Sequence, residues 1–327
     1  MDAIPVIDLT HLDRSPADRA VVAAEIDVAC REVGFFSVVG HGVDPELRNR
    51  LDALSRAFFA LPVDRKAQVA MERGGRAWRG WFPLGGELTS GVPDHKEGLY
   101  FGTELAEDDP RVVAGLPLHG PNLFPAEIPG FEDCVLEYLD ILAALAQRIL
   151  SAMAVGLGLE PGWFAESLTA EPTVLFRIFR YPPATEASGR WGVGPHTDYG
   201  LLTLLAQDGH EGLEVRVGEE WVRVPADPDA FVCNLGDMLE RLTGGRYVST
   251  LHRVVNASGS ERLSFPFFFD PGWEACVEAN PIVDRPLAPA AADRWDHANL
   301  HGFSGTYGGY LTTKVGQVFP KLAAERL

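Results

Sequence analysis

Between Thr173 and Phe269 the chain is a succession of short apolar runs, TVLFRIF, LLTLLAQ, GLEVRV, EWVRV, AFVCNL, YVSTLHRVV and RLSFPFFF, with turn signals between them. Each run is too short for a typical helix and is rich in β-branched and aromatic residues, so each reads as a strand. So many short strands must close on themselves or pack face to face to bury their apolar sides, which predicts an all-β core of the barrel or jelly-roll kind. DGHEG and VGEEW supply glycine-containing turns, and TGGR between Leu242 and Tyr247 is expected to make a tight hairpin.

The flanks read differently. A strand is expected around Ile4 to Asp8, a helix around Pro16 to Glu32, and another strand at GFFSVVG. Leu47, Leu51, Leu54 and Phe58 follow at the spacing of one buried helix face. The Gly- and Pro-rich stretch from Gly74 to Pro129 resists regular assignment, and a loop of that length is usually functional. A long helix is expected from Phe131 to Leu159, and a terminal one over Gly305 to Leu322. A chain of 327 residues without repeats or an interdomain linker predicts one compact unit. Within it, residues 1–130 form an N-terminal α/β portion with pocket loops, 131–159 a supporting helix, 172–278 the β core, and 279–327 a C-terminal loop and helix.

Charge and cysteine content narrow the partners. Twenty-eight Lys and Arg against 46 Asp and Glu give a net charge of −18, which repels a phosphate backbone, so nucleic acid is not expected. Cys30, Cys134, Cys233 and Cys276 contain no C-x-x-C pair, which argues against zinc knuckles, iron–sulfur ligation and a disulfide framework. MDAIPVIDLT has no basic start and no long apolar stretch, so no secretory signal is expected. Glu132, Glu137, Asp140 and Arg148 make the long helix costly to place in lipid. The expectation is a cytoplasmic monomer or weak homo-oligomer that acts on a small molecule.

The chemistry concentrates in PHTDYG, TLHRVV and ERLSF. In an extended strand, residues i and i+2 share a face, so His196 and Asp198 can present an imidazole and a carboxylate to one point. His252 lies 54 positions beyond Asp198, room enough to cross a β core several times and return. Together they make a 2-His-1-carboxylate set, which occupies one face of an octahedral metal and leaves the rest open for oxygen and a chelating co-substrate. Arg262 and Ser264 are again i and i+2 on an apolar strand, where an unpaired charge would be expensive. A guanidinium beside a hydroxyl suits a carboxylate, and Tyr181 could add a third donor. His41 in GHGV reads as a strand-end residue, and His119, His210, His297 and His301 lack partners at ligand spacing.

From IPVIDL through GFFSVVGHGV, RYPP, GPHTDYGLLTLLAQD and FVCNLGDMLERLTGGRYVSTLHRVV to ERLSFPFFFDP, the chain resembles the iron(II) and 2-oxoglutarate-dependent dioxygenases of the isopenicillin N synthase-like superfamily. The resemblance implies a mainly β protein with flanking α-helices around a distorted double-stranded β-helix, or jelly roll. It implies Fe(2+) on His196, Asp198 and His252, 2-oxoglutarate on Arg262, Ser264 and Tyr181, O2 as oxidant, and ascorbate as a stimulant. Plant members commonly read Asn-Tyr-Tyr-Pro where this chain has Phe179-Arg180-Tyr181-Pro182, so any metal-side role of that asparagine does not carry over.

The blocks RGWFPLGGELTSGVPDHKEGLYFG and LHGPNLFP are similar to bacterial members related to ethylene-forming enzyme. By that likeness Arg177 joins the 2-oxoglutarate anchors, and Glu87, Thr89, Tyr199 and Phe268 become substrate-pocket candidates. The expected activity couples oxidative decarboxylation of 2-oxoglutarate to C–H oxidation of a small polar or amino-acid-like molecule. Hydroxylation, desaturation and cyclisation all stay open. So do two other readings, a 2-oxoglutarate-independent iron oxidase that binds its substrate on the R-x-S pair, and a non-catalytic ligand-binding barrel.

Overall fold

The computed structural model describes residues 4–89, 91–183, 191–255, 259–277, 282, 303–319 and 324. His297 and His301 lie outside the described residues.

The amino-terminal third runs β1 (Val6–Asp8), α1 (Pro16–Glu32), β2 (Phe35–Val39), α2 (Pro45–Phe59) and α3 (Val63–Lys66), then β3 (Gly80–Phe82), β4 (Leu88–Thr89), β5 (Val92–Pro93), β6 (Glu97–Gly102) and α4 (Pro110–Val113). Two helices, α5 (Phe131–Gly156) and α6 (Trp163–Ser167), lead into the β core. That core comprises β7 (Thr173–Tyr181), β8 (Val193–His196), β9 (Leu202–Gln207), β10 (Leu213–Val217), β11 (Glu220–Arg223) and β12 (Phe231–Leu235). A short helix, α7 (Asp237–Leu242), precedes β13 (His252–Val254) and β14 (Arg262–Asp270), and α8 (Tyr307–Val318) follows.

Local signals set the first helix. Ser15 accepts a hydrogen bond from the Asp18 backbone N–H at 3.1 Å, and Pro16 occupies the first turn, where its missing N–H costs nothing. At the other end Gly34, with φ +68°, donates to the Ala29 carbonyl and turns the chain into β2. The apolar residues of α5 recur every three or four positions, at Phe131, Val135, Tyr138, Leu142, Leu145, Ile149 and Met153, and all are buried. Helix α5 is long and apolar enough by composition to cross a membrane. Its inner face is instead packed against α1, α2 and strands β9 and β14.

Two sheets form the core. The larger has the order β1-β2-β12-β9-β14-β7-β6-β3, and the smaller β11-β10-β13-β8. Among the described strands β1 and β2 pair in parallel, and the other strand pairs along both sheets are antiparallel. The pocket described below is lined by strands of both sheets, so it opens between them. This is the distorted double-stranded β-helix that the sequence resemblance implies.

Four expectations need correction. TGGR is no hairpin: Gly244 and Gly245, with φ of 61° and 76°, carry the chain away from the end of α7, and Gly245 N–H donates to the Glu240 carbonyl at 2.9 Å. A glycine pair supplies left-handed backbone to a hairpin turn and a helix end alike, so the dipeptide does not distinguish them. YVSTLHRVV gives only the three-residue β13, because its first half bonds elsewhere, Val248 N–H to Cys30 for example. The stretch from Gly74 to Pro129 does contain regular structure, including β6, which pairs with both β3 and β7. The long helix also stops at Gly156, three residues before Leu159.

Candidate active site

His196 ends β8, His252 opens β13, and the two face each other directly in that antiparallel pair. Their ring centroids are 4.2 Å apart. Each Nδ1 sits against a backbone carbonyl two residues back, Gly194 at 2.8 Å and Thr250 at 3.1 Å. Only an Nδ1–H can make that contact, so the tautomer is set and Nε2 is the atom that would ligate a metal on each ring.

Asp198 lies two residues past the end of β8, so strand alternation alone does not aim it. It is aimed by hydrogen bonds. Oδ2 accepts from Thr203 Oγ1 and from Asn234 Nδ2, both at 2.6 Å, and these two residues are partners across β9 and β12. Oδ1 is left 3.8 Å from both imidazole Nε2 atoms. Burial pushes the Asp198 carboxyl up, but the His252 and His196 rings with the Thr203 and Asn234 hydrogen bonds hold it below its ordinary value. Burial, then the neighbouring His252, pushes His196 down to about 3, so it is a neutral ring with a lone pair to give. Two nitrogens and one oxygen within 4.8 Å of one another are a donor set that fits iron(II).

The second cluster is anionic in its demand. On β14, Arg262 is opposite Tyr181 of β7, and the guanidinium lies over the Tyr181 ring at 4.9 Å. Nε donates to the His210 carbonyl at 3.1 Å and Nη2 to Gln207 Oε1 at 3.2 Å. Nη1 is buried without a hydrogen-bond partner. Ser264 Oγ donates to Tyr181 Oη at 3.4 Å. A buried guanidinium that meets no carboxylate among the described residues is unstable unless a ligand supplies one, so the three residues fit the distal carboxylate of 2-oxoglutarate.

A third cluster lines the same pocket as the iron-ligand set. Arg177 lies between the rings of Tyr100, at 4.3 Å, and Phe268, at 4.8 Å, with Nη1 3.7 Å from Glu87 Oε1. It stands four residues before Tyr181 on β7, about 13 Å along the strand. The structure thus groups Arg177 with Glu87 and Phe268, apart from Arg262 along the strand. Thr89 is buried and donates to Asp94 Oδ2 at 2.8 Å, and Tyr199 lines the same pocket.

Sequence reasoning missed Lys96. Its buried Nζ bridges Glu87 Oε2 and Asp94 Oδ2, each at 2.8 Å, and lies 4.4 Å over the Phe179 ring. Burial pushes Glu87 up, but Lys96 and Arg177 outweigh it and hold the carboxylate below its ordinary value. The signal was a charged DHK triplet inside an apolar, glycine-rich stretch. Asn234 was missed too, although an amide inside FVCNL marks a polar demand in an apolar strand. Leu311 and Val318 of α8 complete the pocket wall, a contribution nothing local in the sequence announces.

A jelly roll that carries two histidines and a carboxylate beside a carboxylate-binding arginine defines a non-haem iron oxygenase. Residues 4–127 match the family model described as the N-terminal part of non-haem dioxygenases in morphine synthesis, and residues 172–271 match that of the 2OG-Fe(II) oxygenase superfamily. A probable iron/ascorbate oxidoreductase of Dictyostelium discoideum is 42% identical over 98% of this chain and 96% of its own length. The homoarginine-6-hydroxylase 2-ODD-C23.1 of Arabidopsis thaliana is 35% identical over 86% of this chain and 89% of its own. A full-length Neurospora crassa protein crystallised in complex with alpha-KG superposes with a TM-score of 0.79 at 26% identity, covering 96% of each chain. The chain belongs to the 2OG-Fe(II) oxygenase superfamily and is an iron(II)/2-oxoglutarate dioxygenase.

When bound, iron(II) and 2-oxoglutarate supply oxygen activation coupled to oxidative decarboxylation to succinate and CO2. The protein contributes placement. Hydrogen bonds from Thr203 and Asn234 hold one Asp198 oxygen so that the other, beside the two imidazole Nε2 atoms, would be the one to bind iron. Arg262, Ser264 and Tyr181 would hold the co-substrate carboxylate, and the apolar walls from Leu175, Leu205, Val254 and Leu311 would keep water from it.

Proposed function

We propose that the chain oxidises a C–H bond of a small amino-acid-like molecule that offers both a cationic and an anionic group. The observation that carries this reading is the charge network of buried Glu87, Asp94 and Lys96 with half-buried Arg177, of which Glu87, Lys96 and Arg177 line the same pocket as the iron-ligand set. Arg177 keeps a buried Nε without a hydrogen-bond partner, and Glu87 supplies the matching negative charge beside it. An apolar substrate would leave that Nε orphaned, whereas a zwitterion can satisfy it. Relatives named as a homoarginine-6-hydroxylase and as 1-aminocyclopropane-1-carboxylate oxidases support an amino-acid substrate and favour hydroxylation.

The test is a panel of amino acids and their amines under air with iron(II), 2-oxoglutarate and ascorbate, the last suggested by the iron/ascorbate oxidoreductase relative. Succinate release with one added oxygen in an amino-acid product is the expected result. Succinate release stimulated only by apolar compounds would overturn the substrate class. The likeness to the 1-aminocyclopropane-1-carboxylate oxidases, 36% identical over 98% of this chain, favours a second reading, oxidation without 2-oxoglutarate, which would show as oxygen uptake with no succinate. The setting proposed is a reducing cytoplasm, supported by four free cysteines, three of them buried.

A further inference from the structure

Arg79 lies outside the pocket just described and is 2% exposed. The chain reaches it through Trp78, whose φ of +54° is left-handed, an uncommon conformation for a large residue. The head group then sits over Gly102, the last residue of β6, where an added Cβ would lie 2.2 Å from Arg79 Nη2. Glycine is therefore required for the guanidinium to be there. Nη2 donates to the Leu118 carbonyl at 2.8 Å, and this is the sole hydrogen bond the head group makes among the described residues. Nε is buried without a partner. Glu104 influences the charge from a distance, but its Oε2 is taken by the Asn122 backbone N–H at 2.9 Å and side-chain Nδ2 at 2.7 Å.

A cleft of about 500 Å³ opens against this group. One wall is aromatic: His119 meets Trp273 edge to face with centroids 4.8 Å apart. Thr103, Ser167 and Thr173 bring hydroxyls, and Arg111 at the mouth is held by Asp109 at 2.9 Å. The acidic residues of the rim, Glu171 and Glu274, are exposed, and Glu171 Oε2 lies 3.7 Å from Arg111 Nη1. A guanidinium stripped of water and given one carbonyl is costly, and a desolvated cation beside an open cleft is the arrangement that binds an anion.

We propose that this cleft is a second ligand site, independent of the iron and specific for a small anion whose carboxylate or phosphate group pairs with Arg79. The proposal does not depend on which substrate the iron pocket takes.

The experiment uses the full-length, iron-free protein and two probes, inorganic phosphate and succinate, followed by titration calorimetry and thermal shift. Arg262→Gln serves as the background, so that the carboxylate anchor of the iron pocket does not obscure the second site. In that background at least one probe should bind saturably, and adding Arg79→Gln should weaken it about tenfold or more, the loss of one charge-assisted contact. Binding by phosphate alone or by succinate alone supports the site and names its head group. Should Arg79→Gln fail to fold, Ala170→Trp, an exposed substitution on the cleft rim, is expected to give the same loss by filling the space. The idea is overturned if neither probe binds the Arg262→Gln protein, or if binding survives both cleft substitutions.

Discussion

Arg262 keeps one N–H without a partner, and the expected outcome of Arg262→Gln is a rise in the KM for 2-oxoglutarate on the order of 10- to 100-fold with iron affinity unchanged. Steady-state kinetics beside an iron titration would check it, and an unaltered KM would refute the carboxylate role. Asp270, at the end of β14, makes a different prediction. Burial pushes its carboxyl up to about 7, even though Tyr307 Oη donates to it at 2.5 Å and Leu201 N–H at 3.1 Å. An unfolded aspartate titrates near 3.9, so the folded state binds this proton more tightly. The stability it confers is full below about pH 4 and is lost as pH rises to about 7. Urea unfolding of iron-free wild type and Asp270→Asn should therefore diverge over that window by up to a few kcal/mol, wild type losing ground as pH rises. Parallel curves would show that Asp270 is ordinarily ionised.

At the scale of elements, the legible parts were those with local punctuation. Ser15-Pro16 and Gly34 bracket α1, and the expected bounds agree with the observed ones. Gly34 also shows how strictly such punctuation is held: a Cβ there would meet the Val248 carbonyl oxygen at 2.1 Å in a left-handed backbone. Gly34→Ala should cost at least about 1–2 kcal/mol, read as a lowered unfolding midpoint in denaturant. Helix α7 was illegible because six residues after a strand carry too little periodicity to be told from a turn. β6 was hidden by its glycines, which serve packing: a Cβ at Gly98 would lie 2.7 Å from the Phe82 ring, and one at Gly102 collides with Arg79. Gly200, after HTDY, is likewise a packing requirement, since a Cβ would fall 1.4 Å from Asp270 Oδ1.

For the whole molecule, the two sheets are tied together by groups that want a ligand. Iron(II) followed by 2-oxoglutarate should each raise the unfolding temperature, a ligand at a hundred times its Kd adding about 2.7 kcal/mol. Arg262→Gln should retain the iron increment and lose the second. An equal 2-oxoglutarate increment in both proteins would place the co-substrate carboxylate elsewhere.

The sequence by itself determined the β core and singled out His196, Asp198, His252 and the Arg262–Ser264 pair as candidates, because apolar runs and rare combinations of polar residues within or beside them are local properties. It could not say why Asp198, beyond its strand, points at the metal. Only the pairing of β9 with β12 brings Thr203 and Asn234 to the same carboxylate oxygen. Tertiary structure alone also decided that Arg177 sits between the Tyr100 and Phe268 rings, that Lys96 binds two carboxylates from a stretch without periodicity, and that Arg79 is buried with one hydrogen-bond partner among the described residues. Those facts depend on residues far apart in sequence meeting where water has been excluded, and no spacing rule encodes such a meeting.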